Sequence, residues 1–170
     1  MMPPAPPFAP ISSLGQFPLA PVLERSCARR ALSKTRYSNA ESFFLAIGEL
    51  RFPDAGDLLY RTGIVAQMAL SSHLLDVGFD DRWCARNIGL HIGKALAYAN
   101  ATGLNYQSPA FERLAPVLSP YSVWRNPDFD GSRPPVPTLL PEIPPLLREL
   151  LDHVRGVTGH ARLRRRKAHG

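Results

Sequence analysis

The sequence predicts an all-α protein, a compact bundle of four or five helices over about residues 38–155 with disordered N- and C-terminal segments. Three observations carry this. Prolines are segregated: seven of eighteen fall in residues 1–21 and ten in 109–145, with only Pro53 between Val22 and Ser108. A proline inside a helix costs about 3 kcal/mol, so helices belong where prolines are absent. Apolar residues in that stretch recur every three or four positions. Nothing alternates convincingly with period two, and no repeat of fixed length appears. At 170 residues and 45% hydrophobic, the chain has room for one core-forming domain plus tails.

Taken in order, residues 1–37 are expected to be a proline-rich, then basic, leader, mostly disordered. The domain is expected to open at "SNAESFFLAIGEL", where Ser38 and Glu41 have capping-box spacing and Phe43, Phe44, Ile47 and Leu50 share a face. Pro53 ends that helix. The next begins at Asp54 or Asp57 and stops at Gly78. Its apolar residues Leu58, Leu59, Val65, Met68, Ala69, Leu74 and Leu75 cover so much of the circumference that it should be central and largely buried. A third segment starts at Asp80 or Asp81 and stops at Gly103. A short helix follows, with Ser108 as cap and Pro109 in the first turn. Residues 119–141 look irregular. The last helix, "EIPPLLRELLDHVRG", aligns Ile143, Leu147, Leu150 and Val154, with Leu146 and Leu151 beside them. Residues 156–170 are expected to be a basic, disordered tail.

The third segment, "DRWCARNIGLHIGKALAYANATG", admits two readings. Ala85, Ile88, Gly89 and Leu90 resemble the helix-turn-helix pattern over about 20 residues. That resemblance implies a first helix over Asp81–Ile88, a turn at Gly89 and a recognition helix over Ile92–Asn100. The pattern departs where DNA would be read. The second helix offers Lys94, Tyr98 and Asn100 among Ile92, Gly93, Ala95, Leu96, Ala97 and Ala99, a poor set for base edges. One continuous helix accounts for the same residues better. Ala85, Gly89, Gly93 and Ala97, continued by Ala101, then form a slanting groove where a neighbouring helix packs closely. We therefore expect close packing at Gly89 and Gly93.

Charge divides the chain. Residues 1–36 carry five bases and one acid, residues 155–170 six bases and no acid, and the middle nine bases against thirteen acids. The body is mildly acidic and both ends are basic. Arg162, Arg164, Arg165, Arg166 and Lys167 could neutralise phosphates on nucleic acid or lipid; a solvated tail aiding solubility is the plain alternative.

Other chemistry is thin. "NPDFDG" places Asn126, Asp128 and Asp130 like the first half of a calcium loop, but loop position twelve is Pro137, and Pro134 and Pro135 forbid the exit helix. An Asx-type turn is the better expectation. The five histidines show no zinc spacing. Cys84 and His91, two turns apart on one helix, are too distant to act together, although a histidine from elsewhere could approach the thiol. There is no phosphate loop and no nucleophile elbow, and no metal or cofactor is expected. Two cysteines without a pairing signal suggest a reducing, cytoplasmic setting. The Arg-rich, acid-poor stretch 22–40 leaves an organellar transit segment as the alternative. No run is long and apolar enough to span a bilayer. The expected role is that of a small non-catalytic helical interaction or adaptor protein with a protein partner. Nucleic-acid association through the basic ends comes second, and an enzyme assembled from distant residues third.

Overall fold

The computed structural model describes residues 20–50, 54–125 and 135–163. These form six α-helices, with two short 3-10 turns and no strand among the described residues. They are α1 (Cys27–Gly48), α2 (Ala55–Val77), α3 (Asp81–Asn87), α4 (Ile92–Ala101), α5 (Pro109–Leu114) and α6 (Ile143–Thr158). The 3-10 turns are Tyr121–Trp124 and Leu140–Glu142. No helix among the described residues is long and apolar enough to cross a membrane.

The first helix corrects the expected boundary. It starts well before Ser38, because Ser26 caps it by accepting a hydrogen bond from Arg29 N at 3.2 Å. Its bases point outward and cost the helix little. Ser38 and Glu41 therefore lie in mid-helix and form no capping box. The buried face is Ser33, Tyr37, Ala40, Glu41 and Ile47, whereas Phe43 is exposed and Phe44 only partly covered. Upstream, Glu24 N donates to Gly78 O at 3.0 Å, and the Arg29 guanidinium donates to the carbonyls of Glu24 and Gly78. The segment before α1 is thus strapped to the corner that ends α2.

The second helix is central as expected. Asp54 caps it through Gly56 N and Asp57 N, and Gly78 closes it with φ +110°. It packs against α1, α4, α6 and the Tyr121–Trp124 turn. The close approach lies here, at Gly63. A Cβ at that position would stand 2.2 Å from Cγ of Tyr121, whose ring fills the missing side chain's place. Tyr121 OH then donates to Gln67 Oε1, one turn further on.

The stretch expected to be one helix is two. Asp80 caps α3 through Trp83 N. Gly89 takes φ +58°, its amide and that of Ile88 both donate to Cys84 O, and Gln67 Nε2 donates to Gly89 O at 3.2 Å. A left-handed glycine is a helix terminator. Ile88 and Ile92, on either side of the break, are both buried. The expected close-packing stripe is therefore absent. Ala85 and Ala97 are exposed. A Cβ on Gly89 would meet only the carbonyl of Ala85, and one on Gly93 would sit 3.5 Å from Ser119 Oγ, an ordinary contact. Ser119 has another task there, accepting from Gly93 N at 2.9 Å.

The turn falls where the helix-turn-helix pattern puts it. Even so, α4 buries Ile92, Ala95, Leu96 and Ala99. Asn100 spends its amide on both backbone groups of Tyr106, and Tyr98 packs edge-on against Phe79 and Trp83.

The final helix buries the expected residues, and Pro144 and Pro145 lie in its first turn, where no intrahelical donor is lost. It runs to Thr158 and Gly159 caps it with φ +73°. Thr158 and His160 are buried, so part of the stretch expected to be tail belongs to the fold. Two polar networks seam α1 to this end of the chain. In one, Arg148 grips Glu41 through both terminal nitrogens (2.6 and 2.9 Å), and Tyr37 OH donates to Glu41 Oε1 at 2.7 Å. Burial alone would raise the Glu41 carboxyl, but the bonds from Arg148 and Tyr37 outweigh it and hold the acid below its usual range. The other network centres on Ser33.

Candidate functional site

The outward side of α1 is the strongest chemical feature of the described residues. Its first turn carries no acid and two bases, Arg29 and Arg30, so the positive end of the helix dipole is reinforced by side chains. Arg25, Ser26, Cys27, Arg30, Ala31 and Lys34 line an open groove with Asp76 of α2. Several of these bases are occupied. Arg29 lies near Glu24 and Asp80, Arg36 pairs with Asp81 at 3.1 Å, and Arg30 is ion-paired with Asp76. Arg25 and Lys34 are exposed and make no ion pair among the described residues. They are the charges a partner can use.

The C-terminal segment is laid beside these residues by three contacts. Arg30 Nη2 donates to Thr158 O at 2.8 Å. The ring of His160 packs 5.7 Å from that of Tyr37. Nε2 of His160 lies 2.7 Å from Ser33 Oγ. His160 is 6% exposed, while Gly159 and residues 161–163 are exposed, so this one side chain anchors the segment. Arg162, two residues on, lies close enough for its charge to act on Glu41. Of the basic tail residues, Arg162 is thus placed toward Glu41, about two turns beyond Lys34 on α1; Arg164, Arg165, Arg166 and Lys167 lie outside the described residues. The same holds for the proline-rich residues 1–19 and for the "NPDFDG" stretch.

The Ser33–His160 contact has the residue types of a nucleophile and its base, but not the chemistry. Ser33 Oγ is 2.7 Å from Ser72 O, and a carbonyl can only accept. The single hydroxyl proton therefore goes to Ser72, and His160 must donate its Nε2 hydrogen to Ser33. A ring that donates at that nitrogen cannot take the serine's proton. Ser33 is also fully buried. The trio is a clamp.

The remaining reactive groups are similarly engaged. Cys84 lines a cavity of about 120 Å³ with Arg36, Gln67, Ser71, Asp81 and Gly89, and no histidine is among its lining residues. Burial, then the charges of Asp81 and Asp80, push its thiol up to about 12, far from a nucleophilic thiolate. His91 sits in the turn before α4. His153 donates from Nε2 to Leu104 O at 2.7 Å. Nε2 of His73 lies 3.4 Å from Thr102 Oγ1, and its buried Nδ1 has no hydrogen-bond partner among the described residues. Burial keeps the His73 ring below its usual range. No group of three His, Cys, Asp or Glu side chains among the described residues is arranged to hold a metal.

Sequence reasoning found the basic residues of both ends but not their meeting, nor His160. The contact spans 127 positions, and the local sequence around residue 160 carries no signal of it. Comparison with protein-family models, with curated proteins and with solved structures gives no match.

Proposed function

We propose that the protein is a non-catalytic helical interaction protein that binds the phosphate backbone of a nucleic acid through the composite basic face of α1 and the C-terminal segment. One observation carries this: the C-terminal segment that leads into the basic tail is fixed to α1 at Arg30 and Ser33, beside the exposed Lys34, so the two basic stretches are joined at α1. This makes a phosphate-bearing polymer a better fit than the unspecified protein partner the sequence suggests. Recognition is of the backbone, since the outward residues of α4 (Lys94, Ala97 and Ala101) offer one donor group and no acceptor for base edges.

The test is a salt titration of oligonucleotide binding. Engagement of about three to five phosphates gives a log–log slope of roughly −2.7 to −4.5 on duplex DNA, similar for unrelated sequences. Replacing Arg25 and Lys34 by alanine, or removing residues 162–170, should weaken binding for every sequence alike and flatten the slope. Base-specific binding that survives both changes would restore α4 as a reading helix. Capture of acidic polypeptides with no affinity for oligonucleotides would return the partner to the protein class.

A further inference from the structure

The clamp that anchors the C-terminal segment stands inside the basic face, and this gives the face a second property. The His160 ring is fixed by Ser33 from α1 and, through Ser33, by Ser72 from α2. The titratable groups around it are Arg30, Lys34 and Tyr37 of α1 and Asp76 of α2, while α6 presents Thr158 Oγ1 to its backbone amide. Asp76, the one acid in this set, is already paired with Arg30. A proton arriving on His160 would have to sit at Nδ1, because Nε2 already bears the hydrogen given to Ser33. The clamp bond therefore exists in both protonation states. Protonation adds a charge to the face without releasing the segment.

We propose that His160 couples occupancy of the basic face to proton uptake: a phosphate polymer laid over Lys34, beside the Arg30–Asp76 pair, draws a proton onto His160, and binding tightens as the pH falls. The inference rests on the phosphate-binding reading above. Its physical basis is direct. In the free protein, the burial of the ring and then the positive charges of Arg30 and Lys34 oppose an imidazolium, and Asp76 offsets them only in part. An anion bound at Lys34 offsets that positive field. By linkage, whatever raises the proton affinity of the bound form strengthens binding in acid by the same factor.

The experiment is an NMR titration of the His160 ring resonance in the full chain, with and without an oligothymidylate at low salt. The midpoint is expected to rise on binding. In parallel, affinity for the same oligonucleotide should increase severalfold between about pH 7.5 and about pH 5.5, about tenfold being the limit that a midpoint about one pH unit higher in the complex allows. His160→Gln, which retains a donor for Ser33, should lose most of the gain between the two pH values, whatever its affinity at the upper one. Where that variant is perturbed in fold, the ring titration of the unsubstituted chain decides. An oligonucleotide that binds while the His160 midpoint stays put overturns this inference and leaves the face intact. No binding at any pH overturns both.

Discussion

Two seams join α1 to the end of the chain, and they are built on opposite principles. Near the middle of the helix, Glu41 and Arg148 form an ion pair with the carboxylate 1% exposed. Toward its start, Ser33, Ser72 and His160 form a neutral chain of hydrogen bonds. The ionic seam is charged in a place that solvent barely reaches, so each member depends on the other. The neutral seam costs less desolvation and keeps a titratable ring next to exposed cations. One seam closes the core; the other leaves the surface responsive.

The sharpest way to break this contrast is to remove half of the ionic seam. Arg148→Met strands the Glu41 carboxylate and should cost about 3–5 kcal/mol in urea unfolding. Replacing both partners, Glu41→Leu with Arg148→Met, should recover most of that loss, since the penalty lies in the unpaired charge and not in the missing attraction. If the double variant is no better than the single one, the pair does not act as an isolated unit. Ser33→Ala attacks the neutral seam. It leaves the Ser72 carbonyl and the His160 N–H without their partner and should cost about 1–3 kcal/mol. Amide exchange should also rise over residues 158–163, with α6 above them much less affected.

Acid separates the seams on the pH axis. His160 and the buried His73 both hold native values below the ordinary 6.5. The unfolded chain takes up protons that the native rings resist, so the stability they contribute is present above about pH 6.5 and declines as the pH falls through that range. Glu41 is held below its ordinary 4.5. Its contribution is present above that value and is lost only as the pH falls toward its lower native one. Urea midpoints measured at stepped pH should therefore fall in two limbs. His160→Gln should shrink the upper limb without abolishing it, because His73 remains. A single limb, confined to the range where Glu41 titrates, would show that neither ring is protected from protons.

Much of the architecture was legible in residues that act locally. Ser108 caps α5 as expected, Asp54 and Asp80 are each one of the two caps the sequence offers for their helices, Gly78 ends α2, and the apolar face of α6 is the buried one. What failed depended on distant partners. Ser38 and Glu41 satisfy a local rule, yet the carboxylate is claimed by Arg148 from across the fold. Gly89 and Gly93 share a spacing that suits a groove, but the first takes a left-handed turn whose carbonyl is held by Gln67 from α2. Gly63, unremarked in the sequence, makes the close contact because Tyr121 arrives there from 58 residues away. The glycines can be told apart by measurement. Gly89→Ala should cost about 1–2 kcal/mol for its left-handed backbone, and Gly93→Ala should be tolerated. The candidate site followed the same rule: its charges were plain in the sequence, and their assembly was not.

The strap between Glu24 and Gly78 and the bond from Arg30 to Thr158 bring residues 22–26 and the end of α6 to the first turns of α1. A permuted chain in which a linker carries residue 163 back along α1 to residue 22 would bear a modest closure entropy, since each doubling of a loop adds only about 0.6 kcal/mol. In that reordered polypeptide, Arg162, Arg25, Arg29, Arg30 and Lys34 would follow one another closely along the chain, and a surface now written in two distant pieces would become a single contiguous motif.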